Sequence, residues 1–76
     1  MYVVLEVVNR GAEAKEIFTE LKDAVLYTNI ALNTYRQQHS ITEYGVDGMW
    51  GDATEESRVA WLTTDKYDVD FHIIEI

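Results

Sequence analysis

From Ala12 to Gln38 the chain contains neither glycine nor proline, and Ala14, Ile17, Phe18, Leu21, Ala24, Val25, Thr28, Ala31, Leu32 and Tyr35 recur at steps of three and four residues. Positions so spaced share one face at 3.6 residues per turn, so the stretch predicts a single continuous amphipathic helix. Its flanks predict strands. Tyr2 to Val8 (YVVLEVV) is β-branched and aromatic with Glu6 as its one charge, and reads as a strand buried on most of its surface. Asn9-Arg10-Gly11 supplies a turn before the helix. Tyr67 to Ile76 (YDVDFHIIEI) again interleaves Val, Phe and Ile with Asp and His, which reads as a strand.

The middle of the chain is ambiguous. His39 to Asp52 holds three glycines and several acids and reads as a loop. Asp52 and Glu55 resemble a capping box opening a short helix over Ala53 to Leu62. Arg58 to Thr64 (RVAWLTT) equally reads as a strand that turns at Asp65-Lys66 into the last one. A sheet of two strands is thin, and a third buries more, so the preferred reading is an α+β fold of order β-α-β-β. One long helix then packs on a small, mainly antiparallel sheet. The first strand and the Arg58 to Thr64 strand lie parallel, with the C-terminal strand between them, antiparallel to both.

Seventy-six residues make one domain, 1–76, and a chain of this size buries only about 60% of its extended surface. A homodimer is therefore an expected source of further burial. No cysteine is present, which excludes a disulfide framework and a thiolate metal site and points to a reducing compartment. The N-terminal stretch lacks a basic region and a long apolar run, so neither a signal peptide nor a membrane span is expected and the location reads as cytoplasmic.

Fourteen acids against six bases give a net charge of −8. The excess is uneven. Residues 39–76 carry nine acids and two bases, and residues 1–38 carry five acids and four bases. Such a balance argues against direct nucleic-acid binding, which needs Lys and Arg to displace counterions, and fits a basic protein partner or mimicry of nucleic acid. Catalysis has no motif to support it. His39 and His72 lie far apart, His39 fitting the helix end and His72 a strand's polar face. Gly45, Gly48 and Gly51 recur without an accompanying base, which disfavours a phosphate-cradling loop. Glu43, Asp47, Asp52, Glu55 and Glu56 gather carboxylates without the alternating ligand spacing of a calcium loop, so a solvated acidic loop is the reading and neither metal nor cofactor is expected.

Two resemblances bear on function. Asp47-Gly48-Met49-Trp50-Gly51-Asp52-Ala53-Thr54-Glu55-Glu56-Ser57, ending at Trp61, resembles the D-G-x-[FW]-G-x-x-T turn and helix of peptidoglycan-binding modules, with Leu32-Asn33 where that family often has Leu-Asn. The family's usual proline is Asp52 here, and the strands at Tyr2 to Val8 and Tyr67 to Ile76 are foreign to its three-helix fold. That resemblance implies a cell-wall-binding module as the alternative function. The whole layout, a small acidic chain with a strand at each end around a long helix, is similar to bacteriophage accessory proteins, among them anti-CRISPR and anti-restriction inhibitors. It implies an inhibitor of a host nucleic-acid-handling or defence complex, at work in the host cytoplasm. A homodimeric structural protein without such a target is the further alternative.

The helix supplies the candidate contacts. Stepped at 100° per residue, Glu13, Glu16, Glu20 and Asp23 line one flank, with Tyr27 continuing the row. Like charges three and four apart destabilise an isolated helix, so the row reads as a binding ridge for a basic surface. Leu26 and Ile30 fall opposite the core stripe, with Asn33 and Gln37 extending the line, and form an apolar seam for a second helix. Together with Glu43, Asp47, Trp50, Asp52, Glu55 and Glu56 of the loop, these residues form the expected partner-binding set.

Overall fold

The computed structural model, which describes residues 1–76, is one helix on a five-stranded antiparallel sheet. Strand β1 (Tyr2–Val8) turns through Asn9-Arg10, with Asn9 at a φ of 53°, into β2 (Gly11–Phe18). Helix α1 (Leu21–Gln38) follows, then the short β3 (Met49–Gly51), β4 (Val59–Thr63) and β5 (Asp68–Glu75). The sheet order is β2-β1-β5-β4-β3. As expected, β5 lies between β1 and β4 and runs antiparallel to both. The segment from Arg58 to Thr64 resolves as a strand, β4.

The helix begins nine residues later than the periodicity of Ala12 to Gln38 implies, because Gly11 to Phe18 is strand β2. A tight turn at Asn9-Arg10 sends the chain back along β1, where its backbone groups complete the ladder that β1 would otherwise leave open. The misleading period has a local cause. Between Val4 and Leu5 the register shifts, Val4 pairing with Glu16 and Leu5 with Ala14, so Lys15 is an extra residue. That bulge converts a spacing of two into three, and Ala14, Ile17, Phe18 and Leu21 acquire a helical interval while two of them point to opposite sides of a sheet.

The inner face of the sheet carries Val4, Val69, Phe71, Ile73, Ala60 and Leu62, all buried. Ala24, Thr28 and Leu32 of α1 lie on it, and Ile41 and Ala53 close its margins from the loops. Leu21 and Val25 pack beside this core, as expected, but Ile17 does not, being 52% exposed on β2. Nothing covers the other face. Of β1 only Val4 is buried, so the expectation that this strand is buried on most of its surface fails: one helix covers one side only.

Side chains tie the long connection after α1 to the helix. His39 caps the C-terminus, its amide donating to the Tyr35 carbonyl at 3.1 Å, and its ring stacks on Tyr35 and Tyr67. Arg36 donates to the Ile41 carbonyl at 3.1 Å and lies 4.2 Å over the Trp50 ring. No helix starts at Asp52. Thr54 and Ser57 close a turn on one another through their hydroxyls and amides, which replaces the expected capping box. The turn and helix that the peptidoglycan-binding resemblance implies is therefore absent, and Asp47 to Trp61 runs from loop through β3 and a turn into β4.

Candidate functional site: two surfaces

The expected acidic ridge is split by the strand. Glu13 and Glu16 stand on β2, opposite Glu6 and Val4, while Glu20 is the residue before the helix and Asp23 sits in its first turn. Glu13 and the largely covered Glu6 flank Lys15, whose ammonium lies 3.3 Å from Glu6 and 3.6 Å from Glu13. The hydrogen bond to Glu6, with the charges of Glu6 and Glu13, raises the Lys15 pKa. Glu20 pairs with Lys22 at 3.4 Å. Tyr27 is half-buried and packs on Phe18 with ring centroids 5.3 Å apart, so it continues no row of acids. Pairing across a bulged strand is a long-range property, and no helical projection finds it.

The apolar seam is where the projection placed it. Leu26 and Ile30 are 61% and 57% exposed on the outer side of α1. Ile30 stands between two clefts. The first, about 320 Å³, is lined by Asn29, Asn33, Arg36, Trp50 and Asp52, and the second, of similar volume, by Glu6, Lys15, Tyr27, Thr34, Tyr35 and Gln38. Asn33 does not extend the seam, because its side-chain oxygen accepts from Arg36 at 2.7 Å.

The loop acids have separate fates. The Asp47 carboxylate accepts from the Glu43 amide at 2.8 Å and the Thr42 amide at 3.0 Å, and these bonds hold its pKa below the usual carboxylate range. It fastens its own loop. Trp50 opposes Leu62 on the inner face, packs against the core beneath Arg36, meets Tyr44 edge-on at 5.0 Å and lines the cleft beside Ile30. Glu43, Asp52, Glu55 and Glu56 are exposed, and Asp52 borders the cleft beside Ile30. No three of these acids converge on a point that could hold a metal ion.

The second surface was missed in the sequence. Directly opposed residues of an antiparallel ladder share a side. The ladder therefore sets Ile17, Val3 and Ile74 in one row of the uncovered face, Ala14, Leu5, His72 and Val59 in the next, and Ala12, Val7, Asp70, Trp61 and Gly51 in a third. Trp61 crosses the backbone of β3 at Gly51, where an added Cβ would stand 2.8 Å from the indole Cε2. Beside it lies an open groove of about 740 Å³ bounded by Val7, Asn9 and Arg10 on one side and Trp61 and Thr63 on the other, with Asp68 and Asp70 between. Asp68 accepts from the Thr63 hydroxyl at 3.1 Å, and Asp70 stands 3.8 Å from His72. The available signal was that β1 is apolar on both sides, with Val3, Leu5 and Val7 on one and Val4 and Val8 on the other, although one helix covers one side only.

No family model, no curated protein and no solved structure matches the chain. No helix is long and apolar enough to cross a membrane.

Proposed function

We propose that this chain is a small acidic protein-binding module that occupies a basic surface of a nucleic-acid-handling complex, in the manner of a phage-encoded inhibitor. The observation that carries the reading is the outer side of α1, where the exposed Leu26 and Ile30 rise beside a cleft bordered by Asp52. Asp23 lies on the same helix one turn before Leu26, and it has no cation within ion-pair distance. An apolar ridge with unpaired carboxylates around it offers burial to a partner and selects a partner that carries Lys or Arg. The two histidines are engaged in the fold: His39 packs on Tyr35 and Tyr67, and His72 stands 3.8 Å from Asp70.

Capture from a bacterial lysate followed by mass spectrometry identifies the partner, and titration at increasing salt tests the chemistry. Affinity falls about tenfold or more as the Debye length shrinks from ~30 Å to ~10 Å, and Asp23→Lys with Asp52→Lys slows association more than it speeds dissociation. An affinity indifferent to salt and to both reversals overturns the reading.

A further inference from the structure

The open face of the sheet is a surface of a different kind from the acidic helix side, and its chemistry is self-complementary. We propose that it is the interface of a homodimer in which two copies pack sheet to sheet, leaving both helices outward.

Three features carry this. The first is the thinness of the single copy: 11 of 76 residues are buried, and Val3, Leu5 and Val7 of an interior strand, with Trp61, stand on a face that nothing covers. The second is area. The four strands β2, β1, β5 and β4, ~4.8 Å apart and about seven residues long on average, present roughly 450 Å² in projection, so two such faces remove on the order of 1,000 Å², where specific interfaces begin. The third is charge. Although the chain carries −8 overall, the groove on this face holds the cation Arg10 together with Asp68 and Asp70. Arg10 has no acid within ion-pair distance in its own copy, and Asp70 has His72 alone at 3.8 Å.

A two-fold axis parallel to the strands, passing between β1 and β5, satisfies all three. It keeps each strand end over the same end of the second copy and exchanges left for right, which lays β1 on β5 and the β1–β2 turn over the neighbourhood of β4. The Arg10 of each copy then meets Asp68 and Asp70 of the other, while Val3, Leu5 and Val7 line the centre beside His72, and Trp61 lies toward the edge over β2. Sheets packed in this aligned manner stand about 10 Å apart with side chains interdigitated. An isologous contact of this sort repeats each ion pair twice.

Sedimentation equilibrium on the native chain, run from about 1 µM to about 1 mM to span the range of a modest interface, gives a dimer mass at the upper end. Leu5→Asp raises the dissociation constant at least about a hundredfold, whereas Ile30→Asp on the outer side of α1 leaves it unchanged. Arg10→Asp alone and Asp70→Arg alone each sediment as monomers, because each homodimer then opposes like charges twice. Mixed in equal amounts, the two variants form a heterodimer, since both cross-pairs regain opposite signs. Circular dichroism matching the native spectrum certifies that each variant is folded. A native chain that stays monomeric at the highest concentration overturns the proposal, and so does a dimer that Ile30→Asp breaks or a mixture of the two charge variants that fails to associate. None of these readouts involves the basic partner, so the two surfaces stand or fall separately.

Discussion

The side-chain amide of Asn29 is hydrogen-bonded in both directions to the backbone of Ala53, its Nδ2 donating to the carbonyl at 3.0 Å and its Oδ1 accepting from the amide at 2.7 Å. Ala53 is buried, and the stretch around it has no regular structure of its own, so a helix residue supplies the pairing that a strand would otherwise give. Asn29→Ala leaves both groups of Ala53 unpaired and should cost about 2–4 kcal/mol, read as a lower urea midpoint at unchanged slope. Asn29→Asp retains the acceptor and loses the donor, and its midpoint falls between the two.

Leu62 and Leu26 contrast what the two sides of the fold carry. Leu62 is wholly buried on the inner face, and Leu62→Ala should cost about 2–5 kcal/mol through lost transfer energy and a residual cavity. Leu26 is 61% exposed, and Leu26→Ala should change stability by less than about 0.5 kcal/mol. Thermal melts of both variants check the ordering. A Leu26→Ala variant destabilised as much as Leu62→Ala would mean that α1 sits the other way round.

How much of this was legible follows from the range over which each signal acts. The terminal strands, their pairing, the place of β5 between β1 and β4, and the outward seam at Leu26 and Ile30 follow from local composition and period. Strand β2 was hidden because Ala, Glu and Lys favour helix and because the extra residue Lys15 shifts the period at the point where alternation would show. The Asn9-Arg10-Gly11 turn was visible, but its hairpin geometry depends on β1 lying alongside. The open face was hidden for a different reason: apolar residues on both sides of a strand say that both sides meet something, and only the count of covering helices shows that one side lacks it.

Lys15 is thus open to a direct test. Deleting it removes the bulge and leaves Gly11, Glu13, Glu16 and Phe18 on the inner side and Ala12, Ala14 and Ile17 on the outer, a regular alternation with the same facing. Cross-strand NMR contacts between Val4 and Glu16 and between Leu5 and Ala14 should survive the deletion. Glu6 and Glu13 lose the ammonium they share, and β2 becomes a flat edge of the kind that recruits further strands, so aggregation should rise. Conversion of this segment to helix in the deletion variant would contradict the account of the bulge.

Gly51 is required by the indole that lies across it. A Cβ at this position would stand 2.8 Å from Cε2 of Trp61, closer than carbon atoms pack, and β3 is anchored to β4 on one side only. Gly51→Ala should force the indole off the open face and cost about 1–3 kcal/mol of stability. The NMR signal of the Trp61 indole N–H moves while that of Trp50, held under Arg36, keeps its shift. An unmoved Trp61 signal would show that β3 shifts instead.

Asp47 predicts an acid limb of stability with a definite sign. Its carboxylate accepts from the Glu43 and Thr42 amides, which lowers its pKa in the folded chain below the ordinary 3.8. A group whose pKa is depressed on folding contributes stability that is fully present above its unfolded pKa, and the contribution disappears as pH falls through the folded value. The loop from Thr42 to Asp47 should therefore be indifferent to pH between about 5 and 8 and loosen below about pH 4. In an acid titration the amide shifts of Thr42 and Glu43 move together with a midpoint below 3.8. Asp47→Asn removes the titrating charge and abolishes that movement, while the stability of the variant at neutral pH drops toward that of the native chain in acid. A midpoint at or above 3.8, or amide shifts in Asp47→Asn that still titrate, would mean that another carboxylate governs the loop.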